Sequence, residues 1–193
     1  MTWLLIILVL VVAFGPVLWL VPSKRDKRLS ALRSRARSEG LIVEMRRIPK
    51  PDPAPEDRVS AGGKVREPVM ECASYGLPLA RGLKYLPGWR LIRKAPEQGP
   101  DPFPDWQYDQ RPKGDGRVYL DQVLAEAGKL LQALPDDVAA LELGGRMVLA
   151  YWLEKPGSTE ASVPDLAAAM RLFADSLNRL DRQIEEERSN DDS

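Results

Sequence analysis

Residues 1–21 carry no charged side chain. A helix rises 1.5 Å per residue, so about 20 apolar residues cross roughly 30 Å of hydrocarbon. The pattern therefore predicts an N-terminal transmembrane helix, with an anchor over residues 1–22. Trp3 and Trp19 lie near its two ends, where an indole buries its rings and keeps its N–H at the wet interface. Pro22 and Ser23 break the run. Residues 23–40 then read as a short basic juxtamembrane helix whose apolar positions, Leu29, Leu32 and Ala36, form a thin stripe at helical spacing, with Gly40 as its C-cap.

Beyond Gly40 the period changes. Residues 41–48 alternate Val43 and Met45 with Glu44 and Arg46, the pattern of a strand. Residues 49–67 are rich in proline, glycine and charge and predict a loop or linker, with Gly62-Gly63 inside it. Residues 69–79 and 89–94 predict two further strands. Residues 96–116 read as another loop, in which Phe103, Trp106 and Tyr108 are expected to cover the edge of the core rather than to form a docking epitope.

The C-terminal half has stronger periodicity. Val123, Leu124, Ala127, Leu130, Leu131 and Leu134 predict a helix that Pro135 stops. Residues 138–143 and 146–154 predict a hairpin turning at Gly144-Gly145, a pair able to supply the positive φ angles of a two-residue turn. A last helix starts near Ser162. Leu166, Met170, Phe173, Leu177, Leu180 and Ile184 recur along it at alternating steps of four and three, a heptad-like seam that serves either the core of its own domain or a partner helix. Residues 185–193 read as an acidic, disordered tail. The sum is an α+β chain: a transmembrane helix, then a domain over residues 41–184 with about two helices packed on a small antiparallel sheet of four or five strands.

Charge sets the orientation of the anchor. Lys24, Arg25, Lys27, Arg28, Arg33, Arg35 and Arg37 face only Asp26 and Glu39, and basic residues beside a span stay on the cytoplasmic side. The apolar core lacks basic residues before it and a small-residue cleavage site after Leu20, so it reads as a retained anchor and not as a secretory signal. Lys24, Arg25, Lys27 and Arg28 join Trp3 and Trp19 as the expected membrane interface, each cation attracted to anionic headgroups by about 1 kcal/mol. The net charge of 0 hides a gradient, with 18 basic and 9 acidic side chains in residues 1–100 against 10 and 19 in residues 101–193. Nucleic acid is not an expected partner, because topology already accounts for these cations and no interleaved aromatic groove accompanies them.

Composition narrows the chemistry. The chain has 0 histidines and 1 cysteine, Cys72, which removes the usual neutral-pH proton shuttle and any zinc or iron–sulfur site. No calcium-loop or Walker spacing is present. No cofactor, metal site or catalytic constellation is expected. If a ligand-binding or enzymatic domain using carboxylates and arginines exists, Asp105, Asp109, Arg111 and Asp115 are its first candidates.

Residues 18–40, a membrane helix ending in proline followed by spaced basic residues, Leu29, Leu32 and a glycine, resemble the start of YajC, the small accessory subunit of the bacterial protein translocase. The layout also resembles single-pass inner-membrane proteins of proteobacteria. The resemblance implies a translocase-accessory role; the anchor, its basic flank, the absence of a catalytic constellation and the seam predict a single-pass inner-membrane scaffold or interaction protein with its C-terminal domain cytoplasmic. The expected partners are membrane lipid and another membrane-associated protein or a second copy of this chain.

Overall fold

The computed structural model describes Trp3 and residues 22–51, 53–59, 62–94 and 102–191. The anchor, apart from Trp3 and Pro22, lies outside the described residues; Trp3 itself is 77% exposed. Among the described residues, no helix is long and apolar enough to cross a membrane.

Three α-helices and one antiparallel sheet of seven strands make up the described chain. The strands are β1 (Ile42–Pro49), β2 (Val69–Pro78), β3 (Trp89–Arg93), β4 (Pro102–Phe103), β5 (Trp106–Gln110), β6 (Val138–Leu143) and β7 (Met147–Trp152). They lie in the order β1-β2-β7-β6-β3-β5-β4. The helices are α1 (Lys24–Ser38), α2 (Leu120–Ala133) and α3 (Val163–Asp191). The α+β class and the antiparallel sheet agree with the sequence pattern. The strand count does not: β4 and β5 fall inside the expected loop at residues 96–116, and they extend the sheet beyond β3. Trp106 and Tyr108 alternate with Gln107 and Asp109 there, a strand pattern too short to stand out among prolines.

Alternation sorts the sheet into two faces. Tyr75, Trp89, Leu91, Trp106, Leu141, Ala150 and Trp152 meet Leu32 and Ala36 of α1, Val123, Ala127 and Leu130 of α2, and the long apolar stripe of α3 in one core cluster. The opposite face gathers Ile48, Cys72, Ile92, Ala140, Leu149 and Tyr151, with no helical residue among them. Across that face Tyr151 Oη donates to Glu142 Oε2 at 2.6 Å, and Arg90 bridges Glu142 and Asp109 at 3.3 and 2.5 Å.

Three further expectations change, and the seam, open between two uses, is decided. The helix at residues 23–40 is not a separate juxtamembrane element, because Leu32 and Ala36 are fully buried in the domain core. The tail at residues 185–193 is ordered as helix through Asp191, and Glu185 accepts from Arg81 at 2.7 Å. Asp181, wholly buried one turn earlier, accepts the Lys84 and Tyr85 N–H groups at 3.0 and 2.8 Å. These contacts staple the β2–β3 connection to α3, which is why acidic residues continue the helix instead of fraying. In the β6–β7 turn neither Gly144 nor Gly145 has positive φ; the Gly145 carbonyl instead accepts from Leu83 at 2.7 Å. The seam residues Leu166, Met170, Phe173, Leu177 and Ile184 are each at most 2% exposed, and Leu180 packs against the same core. The domain's own sheet, not a partner helix, occupies the seam.

Candidate functional site

At the end of β7 a buried carboxylate, Glu154, and the buried Ser158 meet two arginines of α1. Ser23 and Asp26 form a capping box that starts α1, with Ser23 Oγ accepting from the Asp26 N–H and Asp26 Oδ2 accepting from the Ser23 N–H, both at 3.1 Å. The Ser23 bonds hold the Asp26 carboxyl below its usual range. At its far end the Leu41 N–H returns to the Ala36 carbonyl at 3.0 Å while Gly40 adopts φ 80°.

Two arginines flank the buried stripe of α1. Arg28 donates to the carbonyl oxygens of Lys155 and Ser158, both at 2.7 Å, and of Glu154 at 3.0 Å. Arg33 grips both carboxylate oxygens of Glu154, its Nε at 2.8 Å from Oε1. Tyr75 Oη donates to the same Oε1 at 2.7 Å. Glu154 is 7% exposed and is the one described non-glycine residue with positive φ, 52°. Backbone strain of this kind persists where surrounding contacts over-determine it, and here three side chains from α1 and β2 do so. Burial, then the Glu154 carboxylate, pushes the Tyr75 phenol up.

Asp137 secures the turn from below. It accepts from Ser158 Oγ at 2.5 Å, Trp152 Nε1 at 2.7 Å and the Lys155 N–H at 2.9 Å. Burial opposes its charge, and these bonds together outweigh the burial and hold its carboxyl low.

On the helix-free side of the same turn lies an open cavity of about 340 Å³. Met70, Val138, Ala139 and Leu153 supply its apolar surface, and Lys50, Arg93, Lys94 and Lys155 contribute cations. Arg93 donates to the Val138 and Pro135 carbonyls at 3.0 and 3.5 Å and stacks over Trp106, with its guanidinium 4.7 Å from the ring centroid. Neutral acceptors of that kind hold the guanidinium without cancelling its charge.

The structure separates the expected site residues. Lys24, Arg25 and Lys27 are exposed on the first turns of α1. Arg28 is not: it is turned onto the 154–158 turn, because three carbonyl oxygens converge on it. Trp19 lies outside the described residues. Asp109 and Arg111 border one cavity, with Glu142, whereas Asp105 borders another, beside Phe103 and Trp106; the Asp115 side chain lies outside the described residues. The four therefore do not form one site. Sequence reasoning missed Arg33, Tyr75 and Glu154 as a unit, since they come from three distant elements. The one local signal is a carboxylate placed directly after an apolar strand. Among the described residues no group of acidic or cysteine side chains is arranged to hold a metal. Comparison with family models, with curated proteins and with solved structures returns no match to this chain.

Proposed function

We propose that this chain is a single-pass, membrane-anchored interaction or scaffold protein whose domain sits at the cytoplasmic face of a bacterial inner membrane. The support in the sequence is the uncharged run at residues 1–21 and the basic flank behind it. The observation that carries the reading is the docking of α1. A helix that merely connected anchor to domain would need no buried stripe, no bidentate arginine and no arginine reading three carbonyls. With these contacts the start of α1 is held against the domain, so an anchor ahead of it fixes the domain's orientation as well as its distance from the membrane.

That orientation gives the charge gradient a spatial meaning. The first turns of α1, the 154–158 turn and the cation-lined cavity share one end of the sheet. The acidic last turns of α3 meet Arg81 and Lys84 at the other. The basic end faces the headgroups and the acidic end is presented to the cytoplasm, where it meets another membrane-associated protein or a second copy.

Carbonate extraction of membranes, protease accessibility and crosslinking in intact cells followed by pull-down test this. Retention in the pellet, a cytoplasmically accessible domain and a reproducible crosslinked species are expected. A carbonate-soluble chain, or only isolated monomer after crosslinking, overturns it. Crosslinks to translocase subunits would favour the accessory role implied by residues 18–40. A ligand-binding role is the second reading, and the cavity beside Leu153 is the observation that favours it.

A further inference from the structure

We infer that the cavity beside the 154–158 turn binds an anionic phospholipid, its phosphodiester on the rim lysines and one acyl chain on the apolar floor. The inference rests on the anchored orientation proposed above and adds a specific ligand site to it. Three observations carry it.

The first is composition. Met70, Ala139 and Leu153 supply an apolar floor, and they belong to the cluster on the face of the sheet that no described helix covers. A pocket of this kind is built for an apolar group with a polar end, because a few placed charges orient what the apolar surface binds.

The second is charge. Four cations line the cavity against Asp136 and Asp137. Asp137 turns its oxygens inward to Ser158, Trp152 and the Lys155 N–H, and these neutral donors leave its charge in place. Arg93 is held by neutral carbonyls, and Lys155 is exposed. Lys50 shares its ammonium with Asp57 at 2.5 Å and keeps further donors. With Asp57 counted, four cations stand against three carboxylates, a formal balance of +1 at the cavity.

The third is position. Arg28, in the second turn of α1, contacts the carbonyl of Lys155, and Lys155 also borders the cavity. The turn that Arg28 grips therefore also forms part of the ligand site's wall. A lipid lifted partly from the leaflet into this cavity keeps its second chain in the bilayer, and binding would reinforce the turn that α1 grips.

The test uses the full chain in nonionic detergent, with ¹³C-methyl methionine labelling and the Met70 resonance assigned through Met70→Leu. The probes are dihexanoyl-phosphatidylglycerol, dihexanoyl-phosphatidylcholine and glycerol 3-phosphate. A saturable Met70 shift with the phosphatidylglycerol is expected, at least tenfold weaker with the phosphatidylcholine and at least tenfold weaker in K50E/K155E. Leu153→Gln, which leaves the rim charges in place, should also weaken it. An equal response to glycerol 3-phosphate shows a free-phosphate site and overturns the lipid assignment, as does a silent Met70 with all three probes. Carbonate extraction of the same cells separates the two readings. A chain that stays in the pellet with Met70 silent removes only the cavity proposal, and a soluble chain removes the anchored orientation whatever Met70 does.

Discussion

Replacing Arg33 with methionine removes the donors that neutralise Glu154 while keeping most of the side chain's apolar length. Among the described residues Glu154 then keeps Tyr75 Oη at 2.7 Å as its remaining side-chain donor, with its side chain 5% accessible. Stripping one partner from a fully buried ion pair costs about 3–5 kcal/mol, because the survivor is left charged and dry. The Arg33 side chain is 27% accessible, so water enters part of the vacated space and the cost falls to about 2–3 kcal/mol. For a chain of this size that is a fall in Tm of about 4–12 °C. Urea unfolding of the full chain in nonionic detergent, followed by tryptophan fluorescence, measures it. Glu154→Gln removes the orphaned charge and preserves an acceptor for Tyr75, so the double variant should recover at least about 1 kcal/mol relative to additivity. An Arg33→Met variant within about 0.5 kcal/mol of the parent, or a strictly additive cycle, would refute the claim that α1 is held by this pair.

Cys72 is 3% exposed, and burial, then the Glu154 charge, pushes its thiol up to about 11. Native alkylation by iodoacetamide at pH 8 should run at least about 100-fold slower than in urea, since only the thiolate reacts; equal rates would contradict that environment. Asp137 contributes stability that is present above its unfolded value of about 3.9 and lost as pH falls through its depressed folded value. Asp137→Asn should therefore cost about 1.5–3 kcal/mol at pH 6 and progressively less toward pH 2, and a penalty independent of pH would sink this account. Phe173→Ala, at a 2% exposed residue with its ring 6.5 Å from that of Trp89, should cost about 3–5 kcal/mol of domain stability. A variant of unchanged stability but altered oligomeric state, read by light scattering, would return the seam to a partner helix.

Local pattern was enough for the regular elements. The strands at residues 42–49, 69–78 and 89–93, the helix at 120–133 and the β6–β7 hairpin each declare themselves through a period of two or of about 3.6, because a single buried face imposes that period on nearby residues. The basic helix and its Gly40 stop were visible for the same reason. Neighbouring residues could not show which of two uses an apolar stripe serves. The seam of α3 fits a partner helix as well as a sheet, and only the sheet's closure beneath it decided the matter. Nor could they show that Arg28 would turn onto the 154–158 turn, that Arg33, Tyr75 and Glu154 would converge, or that residues 185–191 would stay helical. Each outcome depends on a contact made across the fold, such as Arg28 to Ser158 or Arg81 to Glu185. Pairing energies of buried charges arise from three-dimensional proximity and the exclusion of water, and neither quantity is written in the order of residues along the chain.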